Sequence, residues 1–415
     1  SPRPRPHRPP PARPPPRAPP PRAPAAPPPP PDVPPDMPRP DVPPPPLDVP
    51  VDLPRPDVPP PPDAGPPTMY VATLQGTQEV PPVITTATGS ATLTMSGDRT
   101  MLSYTVTHTL PALTAGHIHI GIAGTSGGVS IAFTPTPGTF MGTATLTTAQ
   151  ADAIAQGRAY VNLHTSANPG GELRGQIVRP GERVWAARLT GAQEVPPVTT
   201  TAMGNAQILL AEGNNSIRYI VETTATPTAA HIHTAPGGAN GRVLVDFGAP
   251  SMNITGMAAV TPTAVTNDLF NGRWYVNVHT AANAGGEIRG QVLRPGEVLY
   301  TTVLNGANEV PPVTTAANGA LAVILSADRA RLFYEGSTTG LAPTQAHLHV
   351  GAAGMTGGVA VNFTLIGTGV RGTADVPSMT MFPNFLMQLD SMGIYGNFHS
   401  SANPGGEIRG QMIRR

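Results

Sequence analysis

The chain has 415 residues, with 25 basic and 25 acidic side chains, no formal net charge and no cysteine. The even balance gives no reason to expect a polyanionic partner, and the missing thiols exclude disulfides, thiolate metal sites and cysteine nucleophiles. No apolar run reaches the ~18 residues that a membrane-spanning helix needs. Charged residues make up only 12%, and all the basic ones are arginine, which we read as a compositional bias. Abundant Thr, Ala, Gly and Val point instead to β-sheet surfaces. The chain starts at Ser1 rather than Met, so a processed or trimmed N-terminus is expected.

Of the first 67 residues, 35 are proline. Proline lacks an N–H and fixes φ, which rules out helix and sheet and leaves polyproline II at about 3.1 Å per residue. Residues 1–67 therefore read as a disordered or polyproline II stalk, with a reach on the order of 200 Å. Arginines cluster between Arg3 and Arg22, and aspartates follow from Asp32 to Asp63. The segment reads either as a solvated spacer to an anchor or as a docking ligand for another subunit.

Past residue 67 the chain repeats itself three times. Glu-Val-Pro-Pro-Val begins at Glu79, Glu194 and Glu309, and Gly-Gly-Glu-x-Arg-Gly-Gln begins at Gly170, Gly285 and Gly405. A period near 115 residues is that of a whole small domain. Boundaries after the Arg-Pro-Gly-Glu phrases give domains 68–181, 182–296 and 297–415. In the first, alternating or β-branched runs predict strands at 70–74, 91–95, 101–107, 115–121, 129–133, 140–146, 160–165 and 172–178. One helix is predicted over 148–156, with Thr148 as N-cap and Gly157 past its end. Eight short strands with frequent turns predict an all-β Greek-key sandwich or flattened barrel.

Nine of the 11 histidines fall into three triplets. Each has a His-x-His pair on a predicted strand (His117 and His119, His231 and His233, His347 and His349). About 45–50 residues later comes a lone histidine in a Tyr-x-Asn-x-His phrase (His164, His279, His399). Residues i and i+2 of a strand share a face, so each pair projects from one side. Three neutral imidazoles can bind Cu(II), Cu(I) or Zn(II), whereas Ca²⁺ needs several oxygens. Asn162, Asn277 and Asn397 lie two residues before the lone histidines and are candidates to orient an imidazole N–H. Glu172, Glu287 and Glu407 could do the same, or could pair with Arg174, Arg289 and Arg409. The bland alternative is a set of histidines that hydrogen-bond one another across a sandwich end. His108 reads as a strand-face residue, and the Glu of Glu-Val-Pro-Pro-Val as a fold-defining contact. The Arg-Gly-Gln arginines read as salt-bridge or capping groups. Met379, Met381, Met387 and Met392 read as core filling, a partner-facing patch or soft Cu(I) ligands. No hydrolase arrangement or phosphate loop is present, and no basic patch suggests nucleic acid.

Together these phrases resemble the CHRD domain, named for chordin and common in bacterial secreted proteins. The third repeat departs from it with Gly396 before Asn397 and a Met/Phe-rich segment over 382–392. A weaker resemblance is to copper/zinc superoxide dismutase, also an eight-stranded Greek-key sandwich with a His-x-His strand and a later copper-binding histidine. It implies copper at His117, His119 and His164 and their counterparts. The bridging histidine and the zinc ligands of that family have no match, and Glu172, Glu287 and Glu407 stand where it has a guiding arginine, which argues against an efficient dismutase. The implied setting is extracellular or periplasmic, with tethering to the cell surface as an option. Two functions follow: a multi-domain binding or structural protein for adhesion, matrix or an envelope complex, or a copper-scavenging or redox protein. In either, up to one copper or zinc per domain is expected.

Overall fold

The computed structural model describes residues 65–248 and 250–415, so the stalk expected over 1–67 lies outside the described residues but for its last three. The described chain is mostly β and forms three sheets, each built from the strands of a single repeat.

In the first repeat β1 (Thr68–Gln75), β2 (Thr88–Met95) and β3 (Met101–His108) are followed by β4 (Leu113–Ile120), β5 (Gly128–Ala132) and β6 (Thr139–Thr145). Then come helix α1 (Thr148–Gln156), β7 (Ala159–Thr165) and β8 (Leu173–Gln176). The spatial order is β5-β4-β7-β8-β1-β2-β3-β6, antiparallel throughout. The sheet is thin at one joint. There β8 and β1 share only the Gln75–Arg174 pair, with the bonds between Val71 and Val178 beside it. That joint divides the sheet into halves β5-β4-β7-β8 and β1-β2-β3-β6, and the connections β3–β4, β5–β6 and β6–β7 each cross between them. This is the sandwich-like arrangement that the sequence predicts.

Alternation explains the packing between the halves. β3 buries every second residue, so Leu102, Tyr104 and Val106 meet Tyr70, Leu74 and Leu93 in the core. From the opposite half, Ile118, Val161 and Leu163 enter the same core. β7 differs from β3 in being buried along its whole length. Its inward residues fill the core, and its outward residues lie beneath loops. That second buried face carries the polar repeat phrases.

The predicted helix forms over 148–156 and ends on Gly157 in the left-handed region. Its N-cap is Thr147 rather than the expected Thr148, because Thr147 Oγ1 accepts from Gln150 N while the Gln150 side chain accepts from Thr147 N. A Thr-Thr run offers two caps, and the reciprocal bond selects the first.

Successive repeats pack with the same elements. The loop after β4 and the turn after α1 rest on the first strands of the next repeat. Ala123 N donates to Gln207 Oε1 at 2.7 Å, and Gln207 Nε2 donates to Gly157 O at 2.9 Å. Between the second and third repeats, Gly237 packs against Leu299 and Thr301, and Gly272 against Ile324. Residues at equivalent positions follow this use. Exposed or half-buried Thr92 and Thr94 in repeat one become buried Gln207 and Leu209 in repeat two, and Ala322 and Ile324 in repeat three.

Candidate metal centre

Pairing register places the histidines. In β4 and β7, His117 lies opposite Asn162 and His119 opposite Tyr160, with Ala115 opposite His164. Opposed residues of an antiparallel pair share a face. His117, His119, Tyr160, Asn162 and His164 therefore line the outward side of the β4–β7 half-sheet. The imidazoles converge: His117 Nδ1 and His164 Nε2 are 3.1 Å apart, and each of the three residues offers a ligand nitrogen within 4.8 Å of the others. The same holds for His231, His233 and His279, and for His347, His349 and His399. All nine histidines named from the sequence thus stand in three like clusters.

Backbone carbonyls fix the ring tautomers. His119 Nδ1 donates to Gly127 O at 2.9 Å, and His164 Nδ1 donates to Pro169 O at 3.1 Å. A carbonyl can only accept, so the proton is on Nδ1 and Nε2 of both rings is a lone pair. His119 Nε2 is buried and has no partner, as are His233 Nε2 and His349 Nε2. A buried nitrogen left unpaired costs about 1–3 kcal/mol. A transition metal relieves that cost, and two nitrogens bound about 2.0–2.1 Å from one ion would stand about 3 Å apart, close to the observed 3.1 Å. The donor set and its spacing fit copper or zinc.

Burial also favours the neutral form of eight of these nine imidazoles. It pushes the His117, His119 and His164 rings below the usual imidazole range, reinforced at His119 and His164 by the neighbouring imidazoles. Burial lowers His233, His279, His349 and His399 in the same way, and His347 falls to about 4.

The orienting groups are not the ones expected. Asn162 makes no hydrogen bond to an imidazole; with Glu79 it borders the space above Gly171, as Asn277 and Glu194 do above Gly286 and Asn397 and Glu309 above Gly406. The loops deliver carbonyls to the ring N–H groups instead. Glu172 neither orients a ring nor pairs with Arg174. Its carboxylate accepts from Thr85, Thr165 and Asn168, which tie the Glu-Val-Pro-Pro-Val loop to the β7–β8 turn. Glu287 accepts likewise from Thr200, Thr280 and Asn283, and Glu407 from Thr315 and Ser400. These donors hold all three carboxyls below the usual range.

Arg174 caps a loop. It donates to Thr125 O and Ile122 O, while Gln176 Nε2 donates to Gly121 O. This is the loop whose Gly127 carbonyl holds His119. A tyrosine completes the support. The Arg174 guanidinium lies 3.5 Å from the Tyr160 ring centre, Tyr160 stacks on His119 at 5.1 Å and 10°, and its hydroxyl accepts from Gly127 N. Arg289–Tyr275–His233 and Arg409–Tyr395–His349 repeat the column. Its signal in the sequence is alternation, since Tyr160, Asn162 and His164 share a strand face. Glu79 is buried beside this column, in contact distance of the space above Gly171, and burial raises its carboxyl to about 7 despite the charge of Arg174. Glu194 and Glu309 behave alike. His108 stands apart from the triplets: its Nδ1 accepts from Leu110 N and its Nε2 meets Thr136 O, as a strand-face residue would.

The model of the CHRD domain matches residues 70–177, 185–292 and 300–412, most of the chain. The chain belongs to the CHRD-domain family. Three CHRD domains in tandem make it a multi-domain binding or structural protein, and such domains are typical of extracellular proteins. No curated protein and no solved structure matches it. Among the described residues no helix is long and apolar enough to cross a membrane.

Proposed function

We propose that this is a secreted or surface-tethered binding protein in which each CHRD domain holds one copper or zinc ion through three imidazoles. The partner would be a protein of the envelope or extracellular matrix, met by three domains at once so that weak contacts sum to avidity. One observation carries the metal reading: in every domain a buried, partnerless Nε2 faces two further imidazoles. His117, His119 and His164 hold the first ion, His231, His233 and His279 the second, and His347, His349 and His399 the third. Copper would supply one-electron chemistry there, and zinc a structural tie. A copper-scavenging or redox role is the second reading, favoured by the three-nitrogen donor set, which leaves further positions for exchangeable ligands.

The test is elemental analysis of tag-free protein, with a Cu(II) titration followed by electron paramagnetic resonance. Three ions per chain with nitrogen hyperfine structure are expected, and two in His119→Ala. Protein that takes up no copper or zinc, with His119→Ala indistinguishable from wild type, would leave only hydrogen-bonded histidines. A variant lacking all nine triplet histidines separates the two readings: the first keeps partner binding in it, and the second loses bound metal and redox activity.

A further inference from the structure

The third repeat ends differently from the other two. In repeats one and two the loop after the His-x-His strand and the glycine after the helix dock on the next repeat. Ile122 and Ala123 are buried there, and a Cβ on Gly157 or Gly272 would stand 2.6 Å from Leu209 or 2.3 Å from Ile324. In repeat three the position of Gly157 is taken by Met392, whose carbonyl accepts from Gln411 just as Gly157 O accepts from Gln176. Met392 keeps the left-handed backbone, with φ at 60°, and carries a side chain where docking requires none. A further repeat cannot seat there in the same way. Thr125 of the first loop is replaced by Met355 in the third.

These two methionines have company. Met355, Met379, Met381, Met387 and Met392 are 53–78% exposed, so the core-filling reading fails for the four in 379–392. The backbone holds them at one end of the domain. Gly351 N donates to Gly393 O, and Gln411 Nε2 bridges Gly351 O and Met392 O. At the loop's other end Phe382 lies 3.9 Å from the Cβ position of Gly358. The segment 382–393 is thus hydrogen-bonded to one end of the loop that carries Met355 and lies against its other end. Met379 and Met381 share one turn, closed by bonds to Ser378 O. Met387 lies on the outer side of the helix Phe385–Asp390, whose Phe385 and Leu389 point inward.

Exposed thioethers are costly as surface and specific as ligands. Thioether sulfur selects soft ions such as Cu(I) over hard ones such as Ca²⁺. Each methionine side chain has three rotatable bonds and can adapt to a ligand. We propose that Met355, Met379, Met381, Met387 and Met392 form a soft-metal site that captures Cu(I) through sulfur, distinct from the histidine triplets and independent of whether those bind metal.

The probe is Cu(I) itself, titrated anaerobically into the full chain against a chromophoric Cu(I) chelator. The variant M355L/M379L/M381L/M387L/M392L keeps size and apolarity at exposed positions. Wild type is expected to retain one more Cu(I) per chain than this variant, and sulfur should appear among the copper neighbours in X-ray absorption. The control M141L/M257L, which removes exposed methionines from repeats one and two, should behave as wild type. His347→Ala/His349→Ala/His399→Ala should keep the sulfur-bound ion, which separates this site from the triplet. Equal Cu(I) uptake by wild type and the five-leucine variant, or copper with nitrogen neighbours only, overturns the proposal.

Discussion

Two kinds of buried titratable group with opposite habits surround each triplet. Eight of the nine triplet histidines are held below their unfolded value, so their contribution to stability is full above about pH 6.5. It is lost as pH falls through their folded values, about 4 for His347. Glu79, Glu194 and Glu309 are raised to about 7, so their contribution is present below the ordinary carboxylate range, near 4.5, and is lost as pH rises through 7. Carboxyl ¹³C shifts should therefore show three glutamates titrating near pH 7. The slope of metal-free stability between pH 4.5 and 7 should become more positive in E79Q/E194Q/E309Q, read by urea unfolding at each pH. An unchanged slope would mean that these carboxylates ionise freely. Metal release on acidification should follow the histidines rather than the glutamates.

At the scale of the element, the turn between β7 and β8 does more than reverse the chain. It brings Pro169 O to His164, Glu172 to Thr85, and Gly171 against Glu79 and Asn162. Gly171 has φ of 132°, and a Cβ there would stand 2.5 Å from Glu79 Oε1. Gly171→Ala should cost about 1–3 kcal/mol from backbone strain alone and weaken metal binding in the first domain. Gly170→Ala, with nothing within 4 Å, is the matched control, and calorimetry with and without copper reads both. The strands were legible in the sequence because alternation and turn residues are local. So was the meeting of the triplet, because i, i+2 geometry and a repeated phrase fix two strand faces. The roles of Asn162 and Glu172 were not. They depend on which loop reaches over the sheet, and Thr85 is 87 residues from Glu172. The Arg174–Tyr160–His119 column was hidden for the same reason: its members meet only through β4–β7–β8 register.

For the whole molecule, the joint between repeats rests on few groups. Gln207 is fully buried and satisfies Ala123 N, which has no other partner among the described residues. Gln207→Ala leaves that amide unpaired, a loss of about 1–3 kcal/mol. The first domain should then unfold separately from the other two in calorimetry, and the Ala123 amide should exchange faster. A single unchanged transition would show that the Arg158–Glu222 pair and the Gly157–Leu209 contact suffice. The joint was readable only by comparing repeats, in the change from Thr92 and Thr94 to Gln207 and Leu209.

The second repeat carries both halves of that joint: Gln207 and Leu209 to receive a neighbour, Gly237 and Gly272 to be received. Neither flanking repeat does. Copying this central unit in place would thus lengthen the protein by whole modules, each carrying its own receiving strand and its own docking glycines.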